Sequence, residues 1–116
     1  RFFLNWYSKP LFGDLINHKD FPLLMQKRKK TNLQNIKKCL GSFSVGSQPS
    51  LWDKFQNNSL SIFYFCGQKD EKYNKIGHRL AQYPSINLIE LENAGHYLHF
   101  EYPTLFRNHF ESILKQ

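Results

Sequence analysis

The stretch Leu60-Ser61-Ile62-Phe63-Tyr64-Phe65-Cys66-Gly67-Gln68-Lys69-Asp70 decides the fold. Leu60 to Cys66 is a continuous apolar and aromatic run of strand length, the pattern of a strand buried on both faces. The turn Gly67 to Asp70 ends it. From Glu71 to Tyr83, Tyr73, Ile76, Leu80 and Tyr83 recur at three- and four-residue spacing, which predicts an amphipathic helix stopped by Pro84. Ile86 to Leu91 reads as a second strand. A strand, a helix and a strand within about 30 residues make a βαβ unit, so the two strands are expected to be parallel with a right-handed crossover. After the loop 92–102, Pro103 suits the first turn of a final helix. Leu105, Phe106, His109, Phe110, Ile113 and Leu114 line one face of that helix, placed to cover the sheet.

Upstream the pattern changes. Helical candidates fall at roughly 11–17, 21–30 and 32–41, and no strand is expected before Leu60. Pro22 fits a helix start, Asn32 an N-cap, and Leu33, Ile36, Cys39 and Leu40 an apolar stripe closed by Gly41. Pro49 opens another short helix holding Leu51, Trp52 and Phe55. The fold class is therefore α/β, with a helical segment over 1–58 and a βαβα segment over 59–116. Two parallel strands cannot form a stable sheet alone, because their faces and edges need partners. The missing strands are expected upstream. The opening Arg1-Phe2-Phe3-Leu4-Asn5-Trp6 has neither an initiator Met nor the features of a signal peptide, and reads as a cut through a longer chain.

With 116 residues, 41% of them hydrophobic and 16% aromatic, the chain has the material for one packed domain rather than a disordered segment. No apolar run approaches a bilayer span, so a soluble chain without a membrane partner is expected. Cys39 and Cys66 lack the paired spacing of a zinc site and read as two reduced, buried thiols. The net charge of +7 is concentrated: the stretch from Lys19 to Lys38 contributes +6 of it. Such a block is most often a solvated helix face, and otherwise attracts a small anion or nucleic acid.

Active sites in open α/β sheets lie at the carboxyl ends of the strands. Here the first strand end presents Asp70 and the second His96, an acid and a base placed to hydrogen-bond. The acid would fix the tautomer of the base and stabilise its cation, as in two thirds of a Ser-His-Asp triad. Each residue also has an ordinary reading: Asp70 as the N-cap of the helix from Glu71, and His96 as a turn histidine. Their combination favours chemistry. No G-x-S-x-G elbow is present; Gly41-Ser42-Phe43-Ser44-Val45-Gly46-Ser47 has serines near glycines at the wrong spacing. A His-Gly oxyanion-hole loop is absent as well, so the chain alone is expected to be inactive.

Gly67-x-x-Asp70 after the first strand, Ala94-Gly95-His96 after the second and Glu101-x-Pro103 leading into the last helix together resemble the end of the α/β-hydrolase superfamily. Five longer stretches narrow the resemblance. Trp6 to Phe12, Arg28-x-x-x-Asn32, Gly46 to Trp52, Phe65 to Tyr73 and Ala94 to Pro103 together resemble the 2-succinyl-6-hydroxy-2,4-cyclohexadiene-1-carboxylate synthase family of menaquinone and phylloquinone biosynthesis. The resemblance implies the C-terminal part of an α/β-hydrolase fold, with 1–58 as a helical cap and 59–116 as the C-terminal part of the core. It implies a carbon–oxygen lyase in which a serine, helped by His96 and Asp70, takes a proton from the substrate ring and pyruvate leaves as its enolate. Arg28 would bind a substrate carboxylate, and Trp6 and Phe12 would wall the pocket. The substrate is a small polycarboxylate, no metal or organic cofactor is implied, and the partner is the N-terminal half of the same protein. The setting would be a bacterial cytoplasm or a plastid. Two other readings are carried: a serine esterase or thioesterase on the same fold, and a basic nucleic-acid-binding module using Lys27 to Lys30, Lys37 and Lys38.

Overall fold

A computed structural model describes residues 2–115 of the chain. Strands β1 (Ile62–Gly67) and β2 (Ile86–Leu91) pair in parallel, from Ile62 opposite Ile86 to Gly67 opposite Leu91. A helix, Glu71–Leu80, connects them. The chain is thus a mixed helix-and-strand structure built on a parallel sheet, in keeping with the α/β expectation. β1 starts two residues later than the apolar run suggests, and Leu60 is 71% exposed. The ladder begins where β2 can answer it, with the Ile62 amide donating to the Ser85 carbonyl at 2.8 Å. The connecting helix ends at Leu80, short of Tyr83, in a turn where the Tyr83 amide donates to the Leu80 carbonyl.

Six helices lie among the described residues: α1 (Phe2–Tyr7), α2 (Phe21–Lys29), α3 (Leu33–Ser42), α4 (Glu71–Leu80), α5 (Leu98–Glu101) and α6 (Pro103–Leu114). α4 rests directly on the sheet because of Gly77. A glycine inside a helix costs about 1 kcal/mol relative to alanine. A Cβ at this position would lie only 2.8 Å from Leu88 Cδ1 and 3.0 Å from Tyr64 Cε1. The Tyr64 hydroxyl donates to the Tyr73 carbonyl at 3.2 Å and ties β1 to α4. Burial, reinforced by the nearby Cys66, Asp70 and Tyr73, pushes the Tyr64 phenol up to about 12.

Ile62 to Phe65 are half-buried, not buried as their sequence predicts. α4 covers one face of the sheet. On the other, Phe106 of α6 meets Phe65 at a ring separation of 5.1 Å and joins Leu91, Ala94 and Leu98. Leu105, Phe110 and Leu114 of the predicted apolar face stay exposed, so α6 covers a corner of the sheet.

In the upstream half, the helix expected over 11–17 is two 3-10 turns, Pro10–Phe12 and Leu15–Asn17. Gly13 separates them with a φ of 49°, a left-handed conformation that glycine adopts without a Cβ penalty. α2 and α3 form where expected, and the Asn32 side chain accepts from the Gln34 amide at 2.9 Å. α3 continues through Gly41, and Leu33 and Leu40 on its apolar stripe are about half exposed. Cys39 is accordingly exposed, contrary to the sequence reading, whereas Cys66 is buried; both are free thiols. Trp52–Phe55 is a 3-10 turn, with the Arg79 guanidinium 4.2 Å from the Trp52 ring centroid. Tyr7, Phe12, Leu15, Phe21 and Leu24 form the buried core of this half and pack against Tyr97 and Phe100. That contact docks the helical segment on the loop after β2. No described helix is long and apolar enough to cross a membrane.

Candidate active site

The two strand ends converge because Gly67 has no side chain. A Cβ there would sit 2.2 Å from the Ala94 carbonyl oxygen, closer than any real contact allows. With glycine in place, the Gln68 amide donates to the Leu91 carbonyl at 3.1 Å and the Lys69 amide to the Ala94 carbonyl at 3.0 Å. Asn93, at a φ of 59°, turns the chain back after β2, and asparagine tolerates this left-handed conformation better than most residues. The turn after β1 and the loop after β2 are thereby laced together.

That lacing brings Asp70 to His96. Asp70 Oδ2 lies 2.6 Å from His96 Nδ1, while Asp70 Oδ1 accepts from the Tyr73 amide at 3.3 Å as the N-cap of α4. One oxygen of Asp70 thus caps α4 and the other contacts His96. Its side chain is 5% exposed and that of His96 30%. Phe12 meets the imidazole edge-on at 5.8 Å, and Tyr73 lies on it at 4.8 Å. With a carboxylate accepting at Nδ1, that nitrogen carries the proton and Nε2 keeps its lone pair. Nε2 has no hydrogen-bond partner among the described residues. The ring can therefore take a proton at Nε2 while the buried carboxylate stabilises the resulting cation.

A further carboxylate holds the loop. Glu101 Oε2 accepts from the Gly95 amide at 2.8 Å and Oε1 from the Tyr97 amide at 3.1 Å, one on each side of His96. Gly95 permits this approach, since a Cβ would stand 3.0 Å from Glu101 Oε1. Among the described residues, no group of three or more His, Cys, Asp or Glu is placed to hold a metal ion.

No protein-family model matches the chain. Individual curated proteins do. The 2-succinyl-6-hydroxy-2,4-cyclohexadiene-1-carboxylate synthase of Photorhabdus laumondii is 29% identical over 115 residues, 97% of this chain and 40% of its own length. A Haemophilus influenzae protein provisionally given the same name is 34% identical over 110 residues, 95% of this chain and 42% of its own. The chain is a homologue of the 2-succinyl-6-hydroxy-2,4-cyclohexadiene-1-carboxylate synthases. It spans about two fifths of the length of these two bacterial relatives. Protein PHYLLO, chloroplastic, of Arabidopsis thaliana is 32% identical over 112 residues, 88% of this chain and 6% of that protein.

The other residues singled out by the synthase resemblance lie on the helical segment. Phe12 touches His96, as above, and Trp6 lies 6.1 Å from Phe12 between ring centroids. Trp6 is 43% exposed and stacks on Phe2. Arg28, on α2, is half-buried between two phenols: Nε donates to Tyr7 Oη at 2.9 Å and Nη2 to Tyr97 Oη at 3.2 Å. The hydrogen bond to Tyr7 raises the guanidinium above its ordinary value against the opposing effect of burial, so it is charged at any physiological pH. Lys27, Lys29 and Lys30 all face solvent. Trp6 and Arg28 share a cavity of about 230 Å³ with Phe2, Phe3, Tyr7 and Ile36. Phe12 lines a separate cleft of about 510 Å³ with Lys69, Gly95 and Glu101. Arg28 and His96 are linked through Tyr97, which follows His96 in the chain, and through the packed rings of Tyr7 and Phe12.

Glu101, Tyr73, Tyr7 and Tyr97 escaped the sequence reading as site residues. Glu101 had a signal, an acid just after the His96 loop and two residues before Pro103. Tyr73 stood in the helix stripe. The two partners of Arg28 lie 21 and 69 positions away in sequence, beyond any local pattern.

Proposed function

We propose that the chain supplies the acid and base of a Ser-His-Asp triad in a pyruvate-eliminating carbon–oxygen lyase. The product would be 2-succinyl-6-hydroxy-2,4-cyclohexadiene-1-carboxylate, in menaquinone or phylloquinone biosynthesis. The observation that carries this reading is the 2.6 Å contact between Asp70 and His96 at the ends of adjacent parallel strands, in a homologue of the named synthases. In this reading 59–116 is the C-terminal part of an α/β-hydrolase core and 1–58 is its cap. The serine and the oxyanion hole come from the rest of the full-length polypeptide, and the setting is a bacterial cytoplasm or a plastid.

His96 Nε2 draws the proton from the serine hydroxyl, and the alkoxide removes a proton from the substrate ring. The carbon–oxygen bond to the side chain then breaks and pyruvate leaves as its enolate. Asp70 holds the imidazole in the required tautomer and offsets its charge while it is protonated. Arg28 binds a carboxylate of the substrate, and Trp6 and Phe12 wall the ring. Lys27, Lys29 and Lys30 attract the polyanion without touching it, which gives the basic stretch a role with no nucleic acid involved.

The test is an assay of the full-length polypeptide for pyruvate release from the precursor of this product, beside hydrolysis of a simple aryl ester. Pyruvate release with negligible ester cleavage supports the lyase; the opposite result replaces it with a serine esterase on the same scaffold.

A further inference from the structure

Arg28 is held but not neutralised. Among the described residues no carboxylate lies within ion-pair distance of its guanidinium, although it is half-buried. Both of its hydrogen-bond partners are phenols, Tyr7 on Nε and Tyr97 on Nη2. A carboxylate in either place would fix the orientation but also cancel the charge and compete with an incoming anion. A phenol fixes the orientation and leaves the charge whole. Nε and Nη2 belong to one side of the planar fork, so Nη1 keeps both N–H groups without a partner among the described residues.

The two phenols are themselves immobilised. Tyr7 is buried, with its ring edge-on to Phe12 at 5.0 Å and to Phe21 at 5.8 Å. Tyr97 stacks on Phe100 at 5.4 Å, meets His99 edge-on at 4.5 Å, and has its backbone amide held by Glu101. Tyr97 also follows His96 directly in the chain. The same Glu101 that brackets His96 therefore sets the position of the arm that reaches Arg28.

We propose that Tyr7 and Tyr97 are positioning residues that pre-orient Arg28 for a substrate carboxylate, and that Tyr97 sets the Arg28 fork in register with the His96 loop. This rests on the reading of Arg28 as a carboxylate ligand. A guanidinium on a free side chain must lose rotational freedom when it binds an anion; one already fixed by two rigid phenols has lost it in advance. The gain is in binding, and it is felt equally before and during the reaction.

The experiment is steady-state kinetics of the full-length polypeptide carrying Tyr7→Phe, Tyr97→Phe, Arg28→Ala or Arg28→Lys, and each tyrosine variant combined with each arginine variant. Replacing tyrosine by phenylalanine keeps the ring packing and removes only the hydroxyl. The expected result is a KM raised about tenfold by either tyrosine variant, as for loss of a hydrogen bond to a charged group, with kcat within about twofold. In the Arg28→Ala and Arg28→Lys backgrounds the tyrosine variants add nothing, because neither leaves a planar fork to orient. A tyrosine effect of the same size in every background would overturn the proposal, as would unchanged KM in both single tyrosine variants. If Arg28→Ala itself leaves kcat and KM unchanged, the carboxylate reading falls, and with it the positioning role.

Discussion

Asp70 divides two tasks between its two carboxylate oxygens, and substitutions can separate them. Oδ1 caps α4 and Oδ2 orients His96. Asparagine keeps a capping oxygen but offers His96 an uncharged amide; alanine offers neither. Asp70→Ala is therefore expected to lower stability in denaturant unfolding by about 1 kcal/mol, the usual worth of an N-cap, while Asp70→Asn stays within a few tenths of wild type. Equal loss of stability in both variants would show that the capping contact contributes nothing. This pair was legible in the sequence because each residue sits at a fixed offset from a strand that its own apolar run announces. The supports of Arg28 were not, since Tyr7 and Tyr97 reach it from distant parts of the chain. A tyrosine in an aromatic-rich stretch reads as core until the fold shows where its hydroxyl ends.

Among the elements, one glycine sets the spacing that the site requires. Gly67 lets the turn after β1 touch the Ala94 backbone, and neither partner can give way because both are main chain. Gly67→Ala is expected to cost about 3 kcal/mol, at the upper end of over-packing penalties, and to separate Asp70 from His96. Chemical denaturation reads the first effect, and loss of the His96 Nδ1 proton signal in NMR reads the second. A stable variant with the signal intact would mean that the strand ends do not meet as described. Tyr64 supplies a pH signature for the joint between β1 and α4. Its folded-state pKa of about 12 lies above the ordinary 10.0, so the stability it lends is complete below pH 10 and is lost as pH rises toward 12, where the unfolded chain ionises first. Unfolding measured across that window should show a decline that Tyr64→Phe flattens. An identical decline in the variant would assign it to other groups. The sequence anticipated the βαβ unit because its periods are strong and local. It misjudged the upstream helix at 11–17 because Gly13 breaks in two what the apolar spacing joins. α1 and α5, of six and four residues, are too short for a period to register.

At the scale of the whole molecule, much apolar surface is left uncovered. Phe43 is 75% exposed, Leu60 and Leu114 are each 71%, and the stripe on α3 buries no residue. β1 reads in sequence as a strand buried on both faces, yet its first four residues are half-buried here. The apolar pattern is written for more neighbours than these residues provide, and the bacterial relatives are more than twice as long as the matched region. Expressed alone, the 116 residues are expected to self-associate and to bind a hydrophobic dye, by sedimentation and fluorescence. A dye-silent, monodisperse monomer would show that the exposed surface needs no cover. The sequence gives away this shortage of partners because burial is encoded residue by residue. In the proposed reading the covering residues belong to the rest of the full-length polypeptide.

The central claim is that Asp70 and His96 act as one acid–base unit. The most direct measurement is a double-mutant cycle on pyruvate release by the full-length polypeptide, with Asp70→Asn, His96→Ala and both together. The account predicts that each single change lowers turnover by about a thousandfold or more, and that the double variant is little worse than the His96 variant, because residues that work as a unit are strongly non-additive. Full activity after His96→Ala, or losses that multiply as if the two residues were independent, would contradict it.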